Sequence, residues 1–329
     1  MKNILNLLVI TILSFAMASA SFAAGPAAQG SKDQAVFSLA YGEKDDQIVR
    51  DKMDEKVGNI VQGPTAYTVD EEGNAFIVDS VKHRVLKLSA ADKKPVTLFT
   101  FEKSNIRKNM PMHIAVSKKG FIYLDNPSEF AVIKFSADGK QLKEYGYVIE
   151  RQVIKELDTF MVDEDSNVII ADKKEPKVAI FSDSGELKKE IKLKEAGMGF
   201  AMNKGKIYTI TKDGNSFKVV DIEKLEAALM SFTYKSETGK DSLINSNLAG
   251  FSASGKIYVD VLTGDPDGKM EDQLFCFTAE GKLDKKVKSP YAGNDDDAMM
   301  LLNPYAFAKG EKLLHFLDTA DSFQIKAFE

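Results

Sequence analysis

The sequence predicts an all-β fold: a six-bladed β-propeller closed by pairing of an N-terminal strand with the C-terminal blade. Three observations predict it. A phrase of short apolar strands separated by polar turns recurs six times. Its turn residues, Gly73, Gly120, Asn167, Gly205, Gly255 and Gly310, stand 47, 47, 38, 50 and 55 residues apart, close to the period of about 40 to 50 that marks propeller blades. The chain has 329 residues, 44% of them hydrophobic, enough to fill the seams of such a ring.

The elements follow in order. Met1-Lys2-Asn3 is a short basic start, 4–18 is an apolar run, and Ala18-Ser19-Ala20 and Ser21-Phe22-Ala23 are small-x-small cleavage patterns. This predicts a signal peptide over 1–23, a short linker over 24–34 and a propeller domain over 35–329. The apolar run is too short to anchor in a bilayer, and no later stretch has membrane length, so the mature chain is expected to carry no transmembrane segment and to be periplasmic or secreted.

Residues 35–42 alternate as an outer strand with no blade of its own. The six units then span 63–88, 111–135, 159–181, 199–220, 249–277 and 304–328. Fourth strands follow at 95–99, 141–145 and 186–191. The last unit stops after three strands, so 35–42 is expected to complete it, which removes the open edges of the sheet. A helix is expected at 222–230, with Asp221 as its cap and Ile222, Leu225 and Leu229 on one face.

Composition narrows the chemistry. Lys+Arg number 44 against 49 Asp+Glu, a net charge of −5, which argues against a nucleic-acid partner. A single cysteine, Cys276, excludes an intramolecular disulfide and a multi-cysteine zinc site. The three histidines, His83, His113 and His315, are too far apart for a paired-histidine zinc helix.

In residues 63–88 the first unit reads Gly63-Pro64 then Val69-Asp70, a turn at Gly73, Val78-Asp79, and Arg84-Val85-Leu86. This phrase resembles the NHL repeat. The resemblance implies a propeller and implies that Asp70, Asp79 and Arg84 are structural. Later units depart from it: Ser117, Asn203 and Gly310 stand near the Asp70 position, and no later unit keeps the Arg.

The turns between strands one and two are short, at 70–74, 117–120, 163–167, 203–206 and 252–256. The connections on the opposite face are long, at 43–63, 101–111, 147–158, 235–248, 261–272 and 288–304. Variable loops on a rigid scaffold carry binding sites, so the long-loop face is expected to be the functional one. Candidate ligand-binding residues at the channel mouth are Met112, His113, Asp158, Met198, Asn247 and Asn303. Met112 and Met198 hold equivalent first-strand entries. His113 stands where other units have Ala66, Thr159 and Gly199. Thioether and imidazole groups suit copper, but no dense cluster forms a dedicated site, and no metal ligand is assigned. The acidic run Asp265 to Asp272 lacks the twelve-residue calcium pattern.

No nucleophile–base pair, phosphate loop or haem motif is present. The expectation is therefore a non-enzymatic binding or scaffold protein without a cofactor, taking a protein, peptide or small-molecule ligand on its long-loop face. The alternative is a divalent-metal-dependent hydrolase, lactonase or lyase at the channel mouth, with one divalent metal such as calcium.

Overall fold

The computed structural model describes residues 35–52, 61–101, 110–148, 151–195, 197–236, 239–288, 304–308 and 312–327. The expected signal peptide and the 24–34 linker lie outside the described residues.

Strand β1 (Ala35–Ala40) comes first, then a short ribbon of β2 (Asp51–Lys52) and β3 (Val61–Gln62). Blade one is β4 (Pro64–Val69), β5 (Ala75–Asp79), β6 (Arg84–Leu88) and β7 (Pro95–Thr100). Blade two is β8 (Ile114–Val116), β9 (Ile122–Asn126), β10 (Ala131–Phe135) and β11 (Gln141–Tyr145), followed by a ribbon of β12 (Tyr147–Val148) and β13 (Arg151–Gln152). Blade three is β14 (Leu157–Val162), β15 (Val168–Asp172), β16 (Lys177–Phe181) and β17 (Leu187–Lys192). Blade four is β18 (Met198–Asn203), β19 (Lys206–Asp213), β20 (Ser216–Asp221) and β21 (Ala228–Thr233). Blade five is β22 (Ser242–Phe251), β23 (Ile257–Gly264), β24 (Met270–Phe277) and β25 (Leu283–Lys288). Blade six has β26 (Tyr305–Ala308), β27 (Lys312–Asp318) and β28 (Ser322–Ala327), and β1 supplies its outer strand. All six sheets are antiparallel and four-stranded. The predicted fold and its closure are both present.

Closure rests on burial. Phe37 and Leu39 of β1 pair with Ile325 and Phe323. They share one core with Leu314 and Phe316 of blade six and with Tyr67, Ile77 and Leu86 of blade one. Burying two such side chains contributes about 3–6 kcal/mol to keeping the ring shut. Tyr67 also donates its hydroxyl to the Pro304 carbonyl at 2.7 Å, tying blade one to blade six.

The turns repeat because their side chains close them. Asp70 accepts the Asn74 backbone N–H at 2.8 Å and its side-chain amide at 2.8 Å. Asp163 does the same for Asn167, at 2.7 Å each. Ser117 and Ser252 accept the N–H four residues on, so a hydroxyl replaces the carboxylate where the motif changes. The structural reading of Asp79 and Arg84 also holds: they form a buried pair at 2.9 Å. In blade three, Lys177 takes the place of the Arg, reaching Glu175 at 2.8 Å and Glu190 at 3.2 Å.

Two expectations change. No helix forms at 222–230: Asp221 accepts the Glu223 N–H at 2.9 Å in a turn, and 228–233 becomes the outer strand β21, paired with β20. Nine residues cannot sustain a helix alone, while an unpaired β20 edge offers a full ladder of hydrogen bonds. The 261–272 connection is mostly strand. β23 and β24 run on to Gly264 and from Met270, and Asp265 closes the turn by accepting the Lys269 N–H at 2.8 Å. That carboxylate serves the turn. Likewise, the second half of 235–248 belongs to β22.

Candidate functional site

In each blade, strand two leaves the first turn and runs toward the long-loop face. Counting along it from its first buried residue, the fourth position holds Val78 in blade one, Ala171 in blade three and Ile210 in blade four. In blade two it holds Asp125 and in blade five Asp260. The residue that matches Asp79 and Asp172 in blade two is Asn126, one place later. Strand side chains alternate, so this offset turns Asp125 to the opposite side of its sheet. Ile122 and Leu124 pack toward blade one, and Tyr123 packs toward blade three. Asp125 shares the side of Tyr123.

There it meets His113. Asp125 Oδ1 accepts the backbone N–H groups of Met112 and His113, both at 2.8 Å. Asp125 Oδ2 stands 3.2 Å from His113 Nδ1. A carboxylate at Nδ1 favours the tautomer with its hydrogen there and leaves Nε2 as an acceptor. Among the described residues Nε2 makes no hydrogen bond. The ring is 8% exposed and lies edge-on to Phe160 of blade three, with centroids 6.3 Å apart.

Asp158 stands two residues before Phe160, at the bulge where β14 slips against β15 between Leu157 and Thr159. Bulges re-aim side chains at functional edges. Burial pushes the Asp158 carboxyl above the usual carboxylate range, against the opposing pull of Lys173 and His113. The site is thus an imidazole oriented by one carboxylate, with a second, half-buried carboxyl in its electrostatic field.

The candidate residues divide accordingly. Met112, His113 and Asp158 gather at the seam of blades two and three. Met112 contributes its backbone N–H, and its side chain is half-buried. Met198 packs at the seam of blades four and five. Asn247 pairs with Asp260 on blade five, its amide oxygen against Gly199. Asn303 lies outside the described residues. Asp125 and Asp260 were missed as site residues. Their signal was available: an acid at a repeat position that is otherwise apolar.

Among the described residues, no three His, Cys, Asp or Glu side chains gather to hold a metal ion. His83 sits in a left-handed turn edge-on to Phe101, and His315 is buried with Nδ1 against the Phe316 carbonyl. Among the described residues, no helix is long and apolar enough to cross a membrane.

No protein-family model matches the chain. Among solved structures, a DUF4221 family member from Bacteroides vulgatus superposes with a TM-score of 0.57 at 8% identity, over 91% of this chain and 98% of that one. A gluconolactonase from Xanthomonas campestris superposes with a TM-score of 0.50 at 12% identity, over 90% and 99%. The chain is a six-bladed β-propeller. At these identities the two structures share its fold alone.

A curated protein of Caenorhabditis elegans, described as a probable peptidyl-alpha-hydroxyglycine alpha-amidating lyase, is 26% identical over 238 residues. The match covers 65% of this chain, and the chain spans 66% of that relative. This overturns the expectation of a non-enzymatic scaffold. The expectation found no nucleophile–base pair in the sequence; His113 and Asp125 stand twelve residues apart and meet only in the folded blade.

Proposed function

We propose that this propeller is a lyase acting at the channel mouth, with His113 as proton acceptor, Asp125 as the group that orients it, and Asp158 as proton donor. The observation that carries the reading is the His113–Asp125 pair, at a position where the repeat places Ala66, Thr159 and Gly199. The substrate class is an α-hydroxy amide, as in the name of the curated relative.

The chemistry matches the pair of groups. Splitting an α-hydroxy amide at its carbon–nitrogen bond needs a base for the hydroxyl proton and an acid for the departing nitrogen. His113 Nε2 takes the hydroxyl proton as the carbon–oxygen bond becomes a carbonyl. The carbon–nitrogen bond breaks, and the amide nitrogen takes its proton from Asp158, whose raised pKa suits it to hold one. Proton return from His113 to Asp158 restores the site. Asp125 fixes the imidazole tautomer throughout.

The test uses the chain from residue 24 onward and a synthetic peptidyl-α-hydroxyglycine, with release of peptide amide and glyoxylate as the readout. Turnover that His113→Ala abolishes supports the reading. Turnover equal in wild type and His113→Ala overturns it. Assays with chelator, and with calcium restored, address the metal that came with the enzymatic alternative. Export to the periplasm or beyond belongs to the same reading, and the mass of the N-terminus of protein recovered from cells tests it.

A further inference from the structure

Asp260 stands at the blade-five position that Asp125 occupies in blade two, but its surroundings differ. Asp272 of β24 pairs with Leu262, two residues along β23 from Asp260, so the two carboxyls are diagonal neighbours on one face. That face meets blade six, where the Tyr305 hydroxyl donates to Asp260 Oδ1 at 3.3 Å. Tyr305 is 4% exposed and packs with Leu274, Cys276 and Leu313 across the seam.

The groups that face the pair are few. From β22 comes Asn247, the cross-strand partner of Asp260. From β24 come Asp272 itself and, further along, the buried Cys276. From β26 comes Tyr305, whose strand partner His315 turns Nδ1 to the Phe316 carbonyl. Lys288 lies opposite Gln273 on the outer strand, is exposed, and makes no ion pair with either acid among the described residues. By contrast, acids of other blades have cations: Asp79 of blade one has Arg84, and Asp318 of blade six has Arg50 at 3.1 Å. Two carboxylates that are diagonal neighbours, with no ion pair to a cation among the described residues, cannot both ionise at low cost.

We propose that Asp260 keeps its proton and shares it with the Asp272 carboxylate through a hydrogen bond at the seam of blades five and six, and that this proton locks the seam by keeping two carboxylate charges from facing each other, while the Tyr305 hydrogen bond pulls the other way. Loss of the proton sets two charges against each other in the seam and loosens it. Burial first, then the Asp272 charge and hydrogen bond, push the Asp260 carboxyl up to about 8, so the lock releases under mildly alkaline conditions. The proposal stands independently of any catalytic role for His113.

The sign is fixed by linkage. A carboxyl that holds its proton in the folded state more tightly than in the unfolded state makes stability fall as pH rises between the two values. The experiment is urea unfolding of the full mature chain from pH 5 to pH 9, wild type against Asp260→Asn and Asp272→Asn. The expected result is a wild-type unfolding constant that grows relative to Asp260→Asn by about tenfold per pH unit, levelling above about pH 8. A ratio constant across that range overturns the proposal. Hydrogen exchange reads the seam itself. Amides of β23 and β26 are expected to lose protection above pH 8 relative to those of β5 and β15, in wild type and not in Asp260→Asn. Equal loss in all four strands overturns the lock. Should the variants fail to fold, infrared spectroscopy of the wild type decides. A protonated-carboxyl band present at pH 7 and lost by pH 9 supports the shared proton, and its absence at pH 7 overturns it.

Discussion

Arg84→Met removes the guanidinium that meets Asp79 inside blade one. Asp79 is 0% and Arg84 4% exposed, and Arg84 Nε donates to Asp79 Oδ2 at 2.9 Å. The same guanidinium donates to the carbonyls of Asp45, at 2.9 Å, and of Gln47, which pins the segment after β1 to blade one. Leaving a buried carboxylate without its partner costs about 3–5 kcal/mol. The two part-buried carbonyls add about 1 kcal/mol between them. The expected loss is therefore about 4–6 kcal/mol, a large share of the roughly 5–15 kcal/mol that stabilises a typical domain. Urea unfolding followed by circular dichroism measures it.

The pH dependence sharpens that test. Burial already pushes the Asp79 carboxyl above its ordinary range, and the Arg84 hydrogen bond is the strongest force holding it down. Without Arg84 the folded state favours the protonated acid still more. The loss is then greatest at neutral pH and shrinks as pH falls toward the unfolded carboxylate value. Asp79→Asn combined with Arg84→Met is expected to recover part of the loss, since no charge is left buried. A loss under about 1 kcal/mol, or one independent of pH between 5 and 8, refutes this account of the pair.

Three further outcomes are expected. His113→Gln lowers turnover of the α-hydroxy amide by about 10²–10⁴-fold with an unchanged urea midpoint, as removal of a general base does; kinetics and unfolding on one preparation check both halves. Gly199→Ala destabilises by about 2 kcal/mol or more, because Gly199 has φ +70° and a Cβ there would stand 2.2 Å from the Asn247 amide oxygen; thermal unfolding reads it. Deletion of residues 35–40 removes the closing strand, costs about 3–6 kcal/mol from Phe37 and Leu39, and bares the β28 edge, so size-exclusion chromatography is expected to show self-association.

The ring was legible in the sequence because each blade repeats the same physical need: an apolar strand, a turn that closes itself, another apolar strand. Asp70 with Asn74 and Asp163 with Asn167 write that turn directly into the chain. Closure was legible because residues 35–42 alternate as a strand with no blade to join. The 222–230 segment misled because its apolar spacing fits a helix equally well, and only the unpaired edge of β20 decides for strand. In the site, His113 and Asp158 stood out, one as an unusual residue in its repeat and one as an acid at a blade entry. Their meeting did not, since it depends on which side of the sheet each faces. Asp125 faces His113 only because it stands one residue earlier in its strand than Asp79 does, an offset that the strand register shows and the repeat pattern does not.

That offset carries a wider consequence. Val78, Ala171 and Ile210 show that the fourth position of strand two belongs to an apolar seam. An acid there costs several kcal/mol unless it is compensated, so packing alone would replace Asp125 and Asp260 with Val. The compensation differs between them. Asp125 is met by two backbone N–H groups and an imidazole, whereas Asp260 is met by a tyrosine hydroxyl and a second acid. Restoring the repeat residue therefore acts in opposite directions. Asp260→Val removes a strained acid pair and is expected to stabilise the ring by about 1–4 kcal/mol at pH 9, the range seen when apolar side chains replace buried charge. Asp125→Val strips the donors on Met112, His113 and the imidazole of their acceptor; it is expected to destabilise by about 1–3 kcal/mol and to abolish turnover. Unfolding of both variants at pH 6 and pH 9 separates the two. If Asp125→Val and Asp260→Val shift stability in the same direction at pH 9, then the acids are interchangeable packing variants, and neither seam carries the distinct chemistry argued for it.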